Sequence, residues 1–228
     1  MKALIIGGGG FVGSYLARQL VQGCHWDTTV TKLPQEDVSV EGCEAYNLDI
    51  LDQDAVEALL VRLRPDVIFH LAAQSSVAFS WKNPQKTVEI NLCGSLNVLD
   101  AVRAIEGYAP RILLIGSGEE YGMLPPEMEL VGEDTPVHPG NPYAVTKAAQ
   151  NWFGSLYARA YGMEIVMFCA KHCLTKKALA AEAGIPYDSL LATIKGRRSG
   201  HNVKAAVAPV MARYEAAAKK QRRKGRGA

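Results

Sequence analysis

The sequence predicts an α/β fold, a parallel sheet of about six short strands wound with helices on both faces. Three observations predict it. Short apolar runs alternate with amphipathic stretches up to residue 168, as βαβ units require. The first apolar run feeds straight into a glycine-rich turn. The chain has 228 residues, 48% of the sequence is hydrophobic and 21% charged, enough for a soluble domain with a sizeable core.

The elements follow in order. Ala3–Ile6 reads as a strand and Val12–Gln22 as a helix. Thr28–Leu33 is a weaker strand, and Glu44–Leu48 a short one ending at Asp49. Asp54–Leu63 has helical spacing, and Asp66–Leu71 is an apolar, buried strand. Val88–Ile105 reads as one long helix, Arg111–Gly116 as a strand, Tyr143–Tyr161 as a helix and Glu164–Phe168 as the last strand. A loop rich in Pro, Gly and Glu spans Tyr121 to Asn141, long enough to be functional. These readings divide the chain into an α/β domain at 1–168, a helical basic segment at 169–218 and a basic tail at 219–228 expected to be disordered.

Charge divides the chain in the same place. Residues 169–228 hold fourteen Lys/Arg against three Asp/Glu, whereas residues 1–168 hold eleven against twenty. A net +2 therefore averages an acidic body and a basic end, which implies different partners for the two. Five cysteines, an odd number in a chain of this size, argue against a disulfide framework. The N-terminal apolar run is too short for a signal peptide, and no stretch approaches a membrane span. A cytoplasmic protein without membrane contact is expected.

Gly7, Gly10 and Gly13 fall at a G-x-x-G-x-x-G spacing between the first strand and the first helix, with Phe11 and Val12 opening that helix. Glycine lets the backbone approach a pyrophosphate closely, and the helix N-terminus faces the phosphates with its N–H groups. This is the signature of a Rossmann-type doubly wound dinucleotide-binding fold. No carboxylate is evident on the second strand, Thr29-Val30-Thr31-Lys32-Leu33, and Lys32 is suited to a 2′-phosphate. That pattern favours NADP over NAD. Asp49 and Ile50, after the third strand, are expected to flank the adenine.

Tyr143 and Lys147 lie four apart on a predicted helix and so share a face. An ammonium beside a phenol favours the phenolate, which suits proton exchange with a carbinol or carbonyl oxygen. Ser117 follows the strand Arg111–Gly116, at the carboxyl end where parallel sheets bind ligands.

Several segments together resemble the extended short-chain dehydrogenase/reductase family, of the NAD-dependent epimerase/dehydratase type. They are Gly7-x-x-Gly10-x-x-Gly13, His70-Leu71-Ala72-Ala73-Gln74-Ser75, Asn91-x-x-Gly94, Ser117-Gly118-Glu119-Glu120-Tyr121-Gly122 and Pro142-Tyr143-Ala144-Val145-Thr146-Lys147. The resemblance covers residues 1–168 and is greatest to the GDP-mannose branch, its 4,6-dehydratases and 4-keto-6-deoxymannose reductases. It implies Ser117, Tyr143 and Lys147 as a catalytic triad acting on a nucleotide-sugar, Asn91 as a support of the site's backbone, and Leu71, Ala72, Ala73 and Gln74 as cofactor-lining residues. It implies Glu119 as the base that takes the sugar C5 proton in a dehydratase. Ser rather than Thr at 117 favours the reductase. The resemblance also implies a homodimer paired through helices 88–105 and 143–161. His70 is read as structural.

After Phe168 no sugar-nucleotide lobe is evident, so the chain reads as a truncated relative. Residues 174–191 resemble a helix-turn-helix, with Ala180 at the helix crossing, Gly184 at the turn and Leu190 packing inward; Lys195, Arg197 and Arg198 are placed to meet phosphates. The alternatives are a DNA-binding protein with a sensor or remnant α/β domain, a helical hairpin packed on that domain, or a fused or frameshifted reading frame. Cys169, His172 and Cys173 supply three ligands where structural zinc takes four, so no metal is expected.

Overall fold

The computed structural model describes residues 1–124, 131, 135–168, 183–186, 189, 205–206 and 209. They fall in two units, residues 1–123 with 136–170, and residues 124–135 with 171–228.

The first unit is a six-stranded, all-parallel sheet in the order β3-β2-β1-β4-β5-β6. Its strands are β1 Lys2–Ile6, β2 Asp27–Lys32, β3 Glu44–Asn47, β4 Val67–His70, β5 Arg111–Ile115 and β6 Ile165–Phe168. Alternate side chains of β1 feed opposite faces, as strand pleating dictates. Leu4 and Ile6 join a large core with Val56, Leu60, Ile68, Val98, Leu99, Ile112 and Leu114; Ala3 and Ile5 join a smaller one with Ala17, Leu20 and Val30. The large core is closed by α2 Gln53–Leu63 and α5 Gly94–Ala104, the small one by α1 Phe11–Arg18. The expected doubly wound, Rossmann-type sheet is therefore present. The strand order reverses between β1 and β4, the switch point where such sheets bind ligands.

Three features depart from the sequence reading. Two short helices, α3 Val77–Lys82 and α4 Pro84–Val88, precede the predicted long helix. The Ser76 side chain caps α3, and Pro84 opens α4, both local signals too brief for periodicity to register. The predicted helix 88–105 widens into a π turn at Glu89–Cys93 before α5. A second π turn, Gln19–Gly23, ends α1. The last helix, α6, runs from Pro142 to Tyr161, with the Asn141 side chain as its N-cap. No helix of the described residues is long and apolar enough to cross a membrane.

In the second unit, Ala183–Gly184 form a turn with Gly184 at φ +64°, and the Ser189 amide donates to the Pro186 carbonyl. The turn falls where the sequence places one. The remainder of 174–198, the tail at 219–228, and Cys169, His172 and Cys173 lie outside the described residues.

Candidate active site

The glycine loop is shaped by close backbone approaches. Gly7 adopts φ +82°, and a Cβ there would stand 2.7 Å from the Ala72 nitrogen. At Gly13 a Cβ would stand 2.5 Å from the Gly8 Cα. Thr31 anchors the loop from β2: its hydroxyl accepts from the Gly7 amide at 3.0 Å, and its carbonyl from the Gly9 amide at 3.2 Å. Helix α1 starts at Gly10 without a side-chain cap, so its first N–H groups carry no such partner. Phe11 and Val12 expose their side chains there. A cradle without Cβ atoms beside an uncapped helix N-terminus fits a dinucleotide pyrophosphate.

Ala72 packs on this cradle, and the Leu71 and Ala72 amides both donate to the Ile6 carbonyl at 2.9 Å. Leu71 leans on the smaller core, and Ala73 is half-buried beside it in sequence. Asn91, fully buried in the π turn, accepts from the Gln74 amide at 2.7 Å and donates to the Gln74 carbonyl and the Thr146 hydroxyl, each at 3.0 Å. The Gln74 side-chain amide donates to Thr87 Oγ1 and to the Ser76 carbonyl, so that side chain braces its own loop.

The rim of β2 differs from the sequence reading. Lys32 donates to the Glu36 carbonyl at 2.7 Å. The Glu36 carboxylate accepts from the Leu33 amide at 2.8 Å and stands 3.5 Å from the position of a Cβ on Gly9. A carboxylate is thus present beside the loop, four residues beyond the strand where the sequence shows none. Asp49 is an exposed turn residue whose Oδ1 accepts from the Leu51 amide at 3.0 Å. The Ile50 side chain lies in the large core against Gly94.

On the other side of β4, Ser117 leaves β5 and caps a short 3₁₀ turn, Gly118–Tyr121. Tyr143 and Lys147 are buried on α6. Lys147 Nζ donates to the Ile115 carbonyl at 2.7 Å and to Gln150 Oε1 at 3.0 Å. This pins the tyrosine-lysine helix to the strand end that delivers Ser117. The Tyr143 carbonyl accepts from Thr146 Oγ1, which in turn accepts from Asn91. Glu119 is exposed, and its Oε2 accepts from Asn141 Nδ2 at 2.9 Å. Ser117, Glu119, Tyr143, Lys147 and Asn91 are thereby tied to one end of the sheet.

His70 ends β4 in full burial. Ser95 Oγ donates to the Asn91 carbonyl at 2.6 Å, so its contact with His70 Nε2 at 2.8 Å is one it accepts. The imidazole is the neutral Nε2–H tautomer, with burial, and secondarily the Lys147 charge, pushing its pKa down to about 3. Sequence reasoning missed Thr31, Glu36, Ser95, Asn141 and Thr146; only the capping position of Asn141, before Pro142, carried a local signal.

The GDP-mannose 4,6 dehydratase family model matches residues 4–177. The chain is 37% identical over 118 residues to GDP-mannose 4,6 dehydratase 1 of Arabidopsis thaliana, covering 50% of this chain and 32% of that one. It is 33% identical over 148 residues to the GDP-6-deoxy-D-mannose reductase of Pseudomonas aeruginosa, covering 65% and 44%. Among solved structures, the UDP-glucose 4-epimerase of Thermus thermophilus, a complex with NAD, superimposes with TM-score 0.66 at 29% identity over 82% of this chain and 64% of that one. The chain spans about a third to a half of the length of the curated relatives it matches. With the family model matched over most of its residues, the chain belongs to the GDP-mannose 4,6 dehydratase family.

Proposed function

We propose that the chain binds a nicotinamide dinucleotide along Gly7–Gly13 and acts on a nucleotide-linked hexose as a reductase of the GDP-4-keto-6-deoxymannose type. The observation that carries this is the 2.7 Å hydrogen bond from Lys147 to the Ile115 carbonyl, which holds the Tyr143 helix against the strand leading to Ser117. The dinucleotide, when bound, supplies the hydride. Tyr143 exchanges a proton with the hexose C4 oxygen, Ser117 holds that oxygen, and Lys147 anchors the helix that carries Tyr143. Asn91 fixes the Gln74 backbone beside the cradle. Mixing the protein with NADPH and GDP-4-keto-6-deoxymannose should consume NADPH fluorescence; binding of neither NADPH nor NADH overturns the reading.

The Asn141–Glu119 contact favours a second reading, the 4,6-dehydratase, because it holds a carboxylate at the start of α6. Formation of a 4-keto-6-deoxy sugar from GDP-mannose, lost in Glu119→Gln, would decide for it. The exposed α6 side chains Val145, Trp152 and Leu156, spaced along one face, support a homodimer, which sedimentation tests. The Gly184 turn and the basic composition support DNA contact through 174–198. A duplex probe unshifted at low salt removes that proposal.

A further inference from the structure

Glu120 follows the candidate base Glu119 but faces a different task. It is 2% exposed, a carboxylate taken almost wholly out of water. A buried carboxylate is costly to keep in the fold unless its oxygens are hydrogen-bonded. Here Oε1 accepts from the Ser117 amide at 2.6 Å and Oε2 from Asn151 Nδ2 at 2.7 Å.

The first bond belongs to a capping box with Ser117, and a capping box accepts Gln as readily as Glu. Capping therefore does not explain the carboxylate. What the carboxylate adds is a second acceptor, facing Asn151. Asn151 lies four residues after Lys147, one turn along the same helix. Lys147 grips the carbonyl of Ile115, two residues before Ser117; Asn151 grips Glu120, three residues after it. The serine is held from both sides by one helix, the helix that also carries Tyr143.

We propose that Glu120 and Asn151 are positioning residues, a buried carboxylate–amide clamp through which α6 sets the place of Ser117 relative to Tyr143. The proposal deepens the functional reading above and rests on it for its catalytic consequence.

The clamp has a reciprocal form, Glu120→Gln combined with Asn151→Asp. The carboxamide introduced at position 120 still accepts from the Ser117 amide through its oxygen. Its nitrogen donates to the carboxylate introduced at position 151, so the bridge is rebuilt with its polarity reversed. Asn151→Asp alone sets two carboxylates against each other. The test compares the full-length protein with Asn151→Asp, Glu120→Gln and the double variant. Two kinds of readout are compared: hydrogen exchange of the Ser117–Tyr121 amides, and the constants kcat, KM and cofactor Kd.

Asn151→Asp should speed exchange in that segment and lower kcat by about 100-fold, the size of loss that misplacement of a reacting group brings, with cofactor Kd kept. The double variant should recover both. If Asn151→Asp does not fold, folding of the double variant is the same rescue. A double variant no better than Asn151→Asp, or an Asn151→Asp variant with unchanged exchange, overturns the clamp. Rescue of exchange and cofactor Kd without recovery of kcat leaves the clamp with no catalytic role and overturns the positioning claim. A parent protein that binds cofactor but turns over none of the sugar nucleotides defeats the functional reading; the positioning claim falls with it, and exchange still decides whether the clamp exists.

Discussion

The glycine wall at Gly7–Gly13 holds its shape by leaving side chains out; the wall at Ser117–Lys147 holds its shape with buried polar side chains. In the first, backbone touches backbone: Gly13 on Gly8, Gly7 on Ala72, with Thr31 the one side chain bonded to the loop amides among the described residues. In the second, Asn91, Thr146, Lys147 and Glu120 form hydrogen bonds whose loss would leave a buried group unsatisfied. The lesson is that one wall fails when atoms are added and the other when they are removed or altered.

Tyr143→Phe sharpens that contrast most. It removes one oxygen, and turnover should fall on the order of 10²–10⁴-fold with cofactor binding retained, measured by steady-state kinetics and NADPH fluorescence. Equal loss of binding would place Tyr143 in the cradle instead.

Gly13→Ala is the converse, an added methyl that must displace Gly8 backbone. Thermal unfolding should show about 1–3 kcal/mol of destabilisation, and dinucleotide titration a weakened site. An unaffected variant would show that the loop relaxes freely and end the comparison.

The third expectation concerns pH. His70 has a folded pKa of about 3, below its ordinary 6.5. The unfolded chain binds this proton below pH 6.5 while the folded one does not, so stability falls as pH drops through the window from 6.5 to 3. Denaturant unfolding should lose about 1 kcal/mol from this group between pH ~7 and ~5.5, and His70→Gln should flatten that slope. An unchanged slope would mean that the ring takes up a proton in the fold.

The smallest effects belong to the β2 rim, where Lys32 and Glu36 are half-buried and still partly solvated. Glu36→Gln should weaken NADH relative to NADPH and Lys32→Ala should do the reverse, each by about fivefold or less, as solvated charges allow. Paired titrations read both; a shift in the same direction for both variants would detach them from the ribose.

These differences also set what could be read in advance. The glycine wall was legible because its chemistry is local: an apolar run, glycines at fixed spacing and a helix. The Tyr143–Lys147 pair was legible from helical periodicity. Glu36 was not, since it reaches Gly9 from a loop rather than from the strand. The Asn91 π turn was not, because its bonds run to Gln74 and Thr146, far along the chain. Glu120 stands in a recognisable motif, yet nothing in its neighbours announces that it is buried. The place of the Ile50 side chain in the core was not legible either, because an apolar residue after a strand end serves a core as readily as a ligand.

The π turn at Glu89–Cys93 also makes length a constraint in one stretch of the helix and not in the next. A π turn holds one residue more than the α geometry it replaces. Removing one of those five positions would let the turn tighten to α geometry, and Val98, Leu99 and Val102 beyond it would keep their place in the large core. The same deletion within Gly94–Ala104 meets no surplus residue, and one side of the helix would rotate by about 100° against the other. A single-codon deletion in that stretch would therefore unseat part of a core layer, where one in the π turn would spare it.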